Sequence, residues 1–354
     1  MSRFKRKGMR NEKHWGWAIP LTLTVWAGGL GSTRAEPLSP YPSPEAMLAE
    51  VYQLEKDYPG QAKVMEYGRS VEGRPLLAIY ISRNDGQTRP AAMAAGNIHG
   101  VEYIGNRLAM AVARRLLADS RSDPWIASLL DRMDFYVLPC LNPDGYARTW
   151  AEEGRGVIKD MRRNKDGVDL NRNFPRPGKT LIPIAWAGSG NPDSAMFRGP
   201  KPLSEPETRA IRDFLQDKPV FASIDFHSVQ GAFIPAKCST RQCVREYKQL
   251  AKAFQAGQPE VKYWRFQFRP LDTFTGEMED MLYYEFGIRG VCVEIGKARL
   301  NEPKRKQTDK VFWLYNPEDI DRWIKNDGDA SLHALSAAYR LDQGRPVPAE
   351  RRRH

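Results

Sequence analysis

Short apolar runs recur along the chain and are separated by segments with helical periodicity. The runs cover residues 64–67, 76–82, 91–96, 135–141, 220–226 and 290–295. The runs over 135–141, 220–226 and 290–295 lack a clean alternation of apolar and polar residues, which is typical of strands that are buried on both faces. The pattern therefore predicts a sheet whose strands lie inside the protein.

Helical patterns lie before, between and after these strands. Ser43, Pro44 and Glu45 supply an N-cap, a first-turn proline and a first-turn acid, which predicts a helix over 43–57. Further helices are predicted over 102–118, 205–216, 241–255, 317–325 and 329–341. Strands that alternate with helices indicate an α/β fold. No internal repeat or domain-length linker interrupts the pattern, so we expect a single globular domain.

The first 35 residues have the pattern of an export signal. A basic stretch from Arg3 to Lys13 precedes an apolar run over 15–31, and small residues end at Ala35. We expect cleavage after Ala35. The alternative is a permanent membrane anchor, although an apolar run broken by Pro20 is short for a span of about 20 residues. Export would place the mature chain in the periplasm or outside the cell, where disulfides persist.

The net charge of +11 is concentrated at the two ends of the chain. Residues 1–35 contribute +6 and the basic tail over 343–354 contributes +3, so the central part carries about +2. A basic body that binds nucleic acid is therefore poorly supported. Attachment to an anionic membrane or polymer through the basic ends stays open as an alternative.

Four cysteines are too few for a disulfide scaffold. Cys238 and Cys243 lie in a polar stretch and are close enough in sequence to close a small loop after export. Cys140 and Cys292 lie inside apolar runs, where we expect small buried core residues.

Two of the five histidines carry chemical information. His99 follows a strand and Glu102 begins the next helix, so three residues of turn bring an imidazole and a carboxylate to one point. His227 follows another strand directly, where α/β proteins place reactive groups. Taken singly, a chance pairing and a core histidine are the simpler interpretations. Together they offer three ligands and leave a fourth position for water, as in catalytic zinc sites.

Charged residues elsewhere complete a pattern that suits hydrolysis. Glu294 ends a strongly apolar strand, where burial would raise its pKa toward the range of a general base, although an ion pair with Lys297 is the alternative. Arg162, Arg163 and the Asn- and Arg-rich stretch over 168–174 are suited to holding a carboxylate or an oxyanion. Solvated loop charge is the simpler interpretation of the same residues, since 145–202 is expected to form long surface loops.

Seven ordered motifs together resemble the zinc carboxypeptidase family of the carboxypeptidase A and B type. They lie at 68–76, 99–102, 142–146, 167–174, 199–208, 227–228 and 294, and the likeness covers about residues 43–294. Asn-Pro-Asp-Gly-Tyr at 142–146 and Gly-Val-Asp-Leu-Asn-Arg-Asn-Phe at 167–174 match family signatures without change. The resemblance implies an α/β fold with a mixed, mostly parallel eight-stranded sheet flanked by helices on both faces.

The resemblance also implies a metal site and the residues that act beside it. His99, Glu102 and His227 would bind one Zn²⁺ ion. Glu294 would act as general base and then as acid, and Arg162 would stabilise the tetrahedral intermediate. The implied reaction is hydrolysis of the last peptide bond of a chain by a catalytic domain over 36–342.

Four further residues would bind the substrate in this family. Asn171 and Arg172 would hold the terminal carboxylate of the peptide. Arg74 and Ser228 lie in matched motifs and are further substrate-binding candidates. We expect a monomer whose partner is a peptide or a peptide derived from peptidoglycan, with membrane contact only through an uncleaved N-terminal segment.

The chain departs from the family where a substrate would be enclosed. Val229 stands where a tyrosine usually follows His-Ser, and the stretch over 271–276 offers Asp272 in place of a mobile tyrosine. These changes motivate an alternative, a catalytically impaired zinc-binding protein of the same fold that recognises peptides. The few residues between Ala35 and the first helix leave no room for an inhibitory pro-domain, so we expect activity directly after export.

Acidic residues near the implied specificity pocket predict which terminal residue is preferred. Glu277, Glu279 and Asp280 lie in this region, and opposite charge favours a cationic side chain. Lys or Arg is the simple expectation. The amine of diaminopimelate in a cell-wall peptide is also cationic, and an exported protein would meet it.

Overall fold

The computed structural model describes residues 37–178, 187–263, 265–266, 275–296 and 311–348. The predicted export segment over 1–35 lies outside these residues, as do Asp272, Lys297 and residues 349–354 of the basic tail. Of the helices in the described ranges, none has both the length and the apolar composition needed to cross a bilayer.

One mixed sheet forms the centre of the fold. Its strands are β1 (Ala62–Arg69), β2 (Pro75–Ile81), β3 (Ala91–Gly96), β4 (Asp134–Leu138), β5 (Val220–Ser228), β6 (Ala232–Pro235), β7 (Arg265–Phe266) and β8 (Arg289–Ile295). Their order across the sheet is β1-β2-β4-β3-β5-β8-β6-β7. The pairs β3–β4, β3–β5, β5–β8 and β6–β7 are parallel and the other three are antiparallel. The sheet has eight strands, of which β7 contains only two residues.

Helices connect most of these strands and confirm the α/β prediction. They are α1 (Pro44–Asp57), α2 (Tyr103–Ala118), α3 (Pro124–Leu130), α4 (Pro143–Ala151), α5 (Ile158–Arg162), α6 (Pro206–Leu215), α7 (Arg241–Gly257), α8 (Met278–Met281), α9 (Phe312–Tyr315) and α10 (Ile320–Asp342). Ser43 caps α1 as predicted, since its hydroxyl accepts a hydrogen bond from the Ala46 N–H.

Apolar cores cover both faces of the sheet. Successive side chains of a strand point to opposite faces. In β3, Ala92 and Ala94 pack in a core with residues of α2 and α10, whereas Met93 and Ala95 pack in a second core with residues of α6 and α8. Burial on both faces explains why the strand runs lack alternation, and the prediction of helices on both faces is confirmed.

The C-terminal helix differs from its prediction. The sequence predicts two helices, over 317–325 and 329–341, because Asn326, Asp327 and Gly328 weaken helical periodicity. The structure has one helix, α10, which runs through these residues. The side chains of Asn326 and Asp327 are buried and bind groups outside the helix, at Val261 and at Tyr263. Tertiary hydrogen bonds therefore compensate for their poor helix propensity.

The cysteine predictions are confirmed. Cys238 and Cys243 form a disulfide with a Cα–Cα distance of 5.4 Å, which ties the N-terminus of α7 to the chain that precedes it. Cys140 and Cys292 are free and buried.

Candidate metal centre

Three adjacent parallel strands bring the predicted site residues to one edge of the sheet. β3, β5 and β8 are neighbours, and their carboxyl ends lie at the same edge. His99 follows β3, while His227 and Glu294 lie opposite each other in the pairing of β5 with β8. Ligand sites in α/β folds occupy this edge.

The turn between β3 and α2 is shaped by close packing. Asn97 has a positive φ of 60°, and its side-chain amide donates to the His99 carbonyl at 3.0 Å. Glu102 is the residue that precedes α2. A Cβ atom at Gly105 would lie 2.3 Å from the Phe226 carbonyl oxygen, so only glycine allows α2 to approach β5 this closely. This approach places Glu102 beside the end of β5.

Three potential ligand atoms meet in the space that results. The His99 Nδ1 atom is 3.0 Å from Glu102 Oε1 and 3.2 Å from the Nδ1 atom of His227. The same His227 atom lies 3.3 Å from Glu102 Oε2. Ligands about 2.0–2.1 Å from a tetrahedral zinc ion are about 3.3 Å apart, so these separations match those of ligands that share one ion.

The outer nitrogen atoms of both imidazoles face carboxylates. The His227 Nε2 atom lies 2.8 Å from Asp225 Oδ2. The His99 Nε2 atom lies 3.3 Å from Asp169 Oδ1, at an ion-pair distance but outside hydrogen-bond geometry. A carboxylate on the outer nitrogen favours the tautomer with a proton there and leaves Nδ1 free to bind a metal. The donor set therefore fits zinc.

Burial and charge act against each other on the acids of the centre. Burial alone would raise the pKa of Glu102, but His99 and His227 outweigh it and hold that pKa well below its ordinary value. The pKa of Asp169 is lowered in the same way, against burial, by Arg162 and His99. Both carboxylates are therefore ionised at neutral pH and favour a cation between the imidazoles.

Arg162 lies beside the ligand atoms, as the resemblance implies. Its Nε atom donates to Asp169 Oδ2 at 2.9 Å, and its Nη1 atom is 3.3 Å from His99 Nδ1 and 3.9 Å from Glu102 Oε1. The Nη2 atom of Arg162 also lies 2.9 Å from Asp169 Oδ2, so Asp169 orients the guanidinium with Nη1 toward the centre. A donor fixed in this position can stabilise negative charge that develops beside the metal.

Glu294 lies on the other side of His227 and is buried. The backbone N–H and the side-chain amide of Gln230 each donate to its carboxylate at 3.3 Å. Burial and the charge of Glu102 raise its pKa above the ordinary value. A raised pKa suits a group that first accepts and later returns a proton.

The predicted carboxylate-binding residues form a separate group on a 3-10 turn, Leu170–Arg172. Asn171 Oδ1 accepts a hydrogen bond from the Met278 N–H at 2.9 Å, which ties the turn to α8. Arg172 is nearly buried, and its Nη1 atom lies 3.3 Å from Glu277 Oε1. The turn therefore links Asn171 and Arg172, the residues expected to bind the substrate carboxylate, to the acidic segment 277–280 in which α8 begins.

The remaining two substrate-binding candidates differ in their surroundings. The Ser228 N–H lies 3.3 Å from Glu102 Oε2, so Ser228 borders the ligand group. Arg74 pairs at 2.7 Å with the buried carboxylate of Asp144 and also pairs with Glu72. Among the described residues, the side-chain hydrogen bonds of Arg74 are to these two acids. Its role in substrate binding stays a prediction.

An unusual acidic group lies behind His227. The Glu279 carboxylate is buried, and among the described residues neither of its oxygen atoms has a hydrogen-bond partner. One ligand atom each of Asp225, His227 and Glu279 lie within 4.8 Å of one another. Burial and the charges of Asp225 and Glu277 raise the pKa of Glu279 to about 8. A carboxyl group with this pKa is mostly protonated at neutral pH, and a cation bound beside it would favour its ionised form.

Sequence reasoning missed Asp225, Asp169 and Gln230 as functional residues. Asp225 carries a usable signal, since residues two apart on a strand share a face, so Asp225 and His227 must point the same way. Asp169 lies within the matched motif at 167–174, but the motif does not reveal its contacts with Arg162 and His99, and Gln230 carries no local signal. They reach the centre only because the loops after α5 and β5 fold over it.

Asp225 tests how much its carboxylate contributes to metal binding. Asp225→Ala removes the acceptor at His227 Nε2, and we expect zinc affinity to fall by roughly 10- to 100-fold, measured by competition with a chromophoric chelator. Ser223→Ala is the matched control on the same strand, because the Ser223 hydroxyl is buried without a hydrogen-bond partner among the described residues. Unchanged affinity in Asp225→Ala would show that the contact does not position His227.

Comparisons with known proteins agree with this geometry. A family profile described as zinc carboxypeptidase matches residues 47–316. Carboxypeptidase A4 of Mus musculus is 33% identical over 192 residues, which are 52% of this chain and 44% of that protein. Carboxypeptidase D of Drosophila melanogaster is 30% identical over 242 residues, which are 63% of this chain and 16% of that protein. The matched parts are thus less than half of these relatives.

Solved structures show the same fold. Carboxypeptidase A from Helicoverpa armigera superimposes with a TM-score of 0.67 at 22% identity, over 85% of this chain and 73% of that one. Thrombin activatable fibrinolysis inhibitor gives 0.68 at 22% identity, over 88% and 77%. Since the family profile covers most of the chain, the chain belongs to the zinc carboxypeptidase family.

Proposed function

We propose that this protein is a zinc-dependent carboxypeptidase that hydrolyses the C-terminal residue of peptides. The observation that carries the proposal is the convergence of His99, Glu102 and His227 within 3.0–3.3 Å, with Arg162 beside His99 and Glu294 beside His227. Zinc bound there would supply a Lewis acid and would lower the pKa of water. Proton transfer, stabilisation of the oxyanion and substrate binding would be carried out by side chains of the protein.

Glu294 and Arg162 have complementary tasks in this proposal. Glu294 takes a proton from the attacking water and delivers it to the nitrogen of the leaving residue, for which its raised pKa is suited. Arg162 donates hydrogen bonds to the oxygen atom that becomes negative as the carbonyl is attacked. Asp169 keeps the guanidinium in that orientation.

Arg172 and Asn171 would restrict hydrolysis to the end of a peptide. A guanidinium binds a terminal carboxylate through two parallel hydrogen bonds, and an internal peptide bond offers no such group. Arg172 is nearly buried, which strengthens the interaction by excluding water. We keep Arg74 and Ser228 as further substrate-binding residues.

The acids behind His227 support a preference for cationic terminal side chains. Glu279 has no hydrogen-bond partner among the described residues, and Asp225 lies nearby. An ammonium or guanidinium group bound beside these acids would pair with the ionised form of Glu279 and offset the cost of its burial, whereas an apolar side chain would offer it no partner. Lysine and arginine fit this requirement, and so does the amine of diaminopimelate at the end of a cell-wall peptide.

Export to the periplasm or beyond is the compartment we propose. Its supports are the basic and apolar pattern over 1–35 and the Cys238–Cys243 disulfide, since disulfides persist in oxidising compartments. We expect the mature protein to begin at Glu36, which N-terminal sequencing of protein from the native host tests directly. A mature chain that retains residues 1–35 would favour the membrane anchor instead.

Glu294→Gln tests the catalytic part of the proposal. The amide cannot take up a proton, so we expect kcat to fall by roughly 100- to 10,000-fold while zinc content stays unchanged. In the wild type, kcat/KM should decrease as the pH is lowered, because Glu294 must be ionised to act as a base. Since the pKa of Glu294 is raised, this decrease should occur at a pH above 4.5, the ordinary pKa of a glutamate. Both are measured by peptide hydrolysis and by metal analysis of the same samples.

Two outcomes would redirect the proposal. Turnover by Glu294→Gln at the wild-type rate would exclude Glu294 as the base. Wild-type protein that holds zinc but hydrolyses no peptide ending in Lys, Arg, Phe, Glu or diaminopimelate would instead support the catalytically impaired peptide-binding alternative.

Glu279→Gln tests the preference for a cationic side chain. It removes the acid that would ionise beside a cationic side chain, so we expect the ratio of kcat/KM for peptides ending in Lys or Arg to that for peptides ending in Phe to fall roughly tenfold or more. Glu285→Gln is the matched control, because Glu285 is exposed on the turn that follows α8 and pairs with Arg212. An unchanged ratio in Glu279→Gln would remove Glu279 from the specificity pocket.

A further inference from the structure

A buried carboxylate in the middle of α10 is linked through Tyr263 to the backbone next to the proposed general base. Asp327 is fully buried. It accepts hydrogen bonds from the Tyr263 hydroxyl at 2.5 Å, from the Gln258 side-chain amide at 2.8 Å and from the Asn326 side-chain amide at 2.8 Å. Burying a carboxylate in a helix interior is costly, and three donors are needed to offset that cost.

The Tyr263 hydroxyl connects Asp327 to the residue that follows β8. It donates to Asp327 and accepts a hydrogen bond from the Gly296 N–H at 3.1 Å. Tyr263 is itself held in place, since its backbone N–H donates to Gln258 Oε1 at 2.9 Å and its ring packs against Phe254. The hydroxyl therefore has one fixed orientation in which both of its roles are used.

Gly296 directly follows the last residue of β8. The last β5–β8 pair is Ser228 with Ile295, and on the other side Ala232 pairs with Glu294. Gly296 is in neither ladder, and its φ of +114° lies outside the range of strands. Within the part of the chain that the structure describes, the Tyr263 hydroxyl is the partner of its buried N–H, and without it the end of β8 would be free to fray.

Glu294 lies two residues before this point. Among the described residues, the hydrogen bonds to its carboxylate come from Gln230, and both are 3.3 Å long. Such long contacts hold a side chain weakly. The position of the carboxylate therefore depends on the backbone that carries it, and a displacement of about 1 Å is enough to impair catalysis strongly.

We propose that Asp327 and Tyr263 form a clamp on Gly296 that positions Glu294 for catalysis. They are positioning residues, since neither touches the reacting atoms. Asp327 orients the tyrosine hydroxyl, and the hydroxyl fixes the end of β8. The catalytic part of this inference rests on the proposed function, whereas the structural part does not.

Tyr263→Phe tests the clamp with the loss of one oxygen atom. We expect kcat to fall roughly tenfold, with KM within twofold of the wild type and an unchanged zinc content. In hydrogen-exchange mass spectrometry, peptides that cover the end of β8 should exchange roughly tenfold faster. Tyr247→Phe is the matched control, because Tyr247 is buried and its hydroxyl has no hydrogen-bond partner among the described residues.

A double variant tests whether the two residues act as one unit. The combination of Tyr263→Phe with Asp327→Ala should lower kcat no further than the more severe single change. The clamp is overturned if Tyr263→Phe keeps the wild-type kcat and exchange rate, or if it loses activity only as much as Tyr247→Phe. If the wild type itself hydrolyses no peptide, the proposed function fails, and the exchange at β8 still decides whether the clamp exists.

Discussion

Two imidazole nitrogen atoms that face each other across 3.2 Å are the constraint on which the rest of the site depends. The Nε2 atoms of the two rings face Asp225 and Asp169, so the lone pairs of the two Nδ1 atoms point into the same small volume. Such an arrangement is repulsive unless a cation lies between them, and a divalent ion satisfies both nitrogen atoms and Glu102 at once. The order of β3, β5 and β8 and the close approach at Gly105 both serve this convergence.

The balance of buried charge extends the same argument to the substrate. The described residues around the centre include buried carboxyl groups of Glu102, Asp169, Asp225, Glu279 and Glu294. Arg162 pairs with one of them and Arg172 lies beside Glu277. A metal bound by His99, Glu102 and His227 would account for Glu102, whereas Glu279 keeps no hydrogen-bond partner among the described residues. This surplus of buried carboxyl groups is the basis of the proposed preference for a cationic terminal residue.

The convergence of His99, Glu102 and His227 could be predicted from the amino-acid sequence because these residues belong to short motifs at strand ends. His99 with Glu102, and His227 after β5, are recognisable from local pattern alone, as are the strands that carry them. Long-range contacts are not, because they depend on where loops return to the sheet. Asp327 illustrates this limit: the sequence predicts separate helices on either side of it, yet its partners Gln258 and Tyr263 lie more than 60 residues away and stabilise it within one continuous helix.

Among the described residues, three overlapping groups of potential metal ligands share His227. The proposed group, His99 with Glu102 and His227, contains two imidazoles and no sulfur, whereas each of the other two contains one imidazole. The other two are His227 with Cys292 and Glu294, and His227 with Asp225 and Glu279. X-ray absorption at the zinc edge of the metal-loaded protein distinguishes them most directly. We expect nitrogen and oxygen neighbours at about 2.0–2.1 Å, with the scattering of two imidazoles. A sulfur neighbour at about 2.3 Å, a single imidazole or no bound zinc would contradict the assignment of His99, Glu102 and His227 as the metal centre.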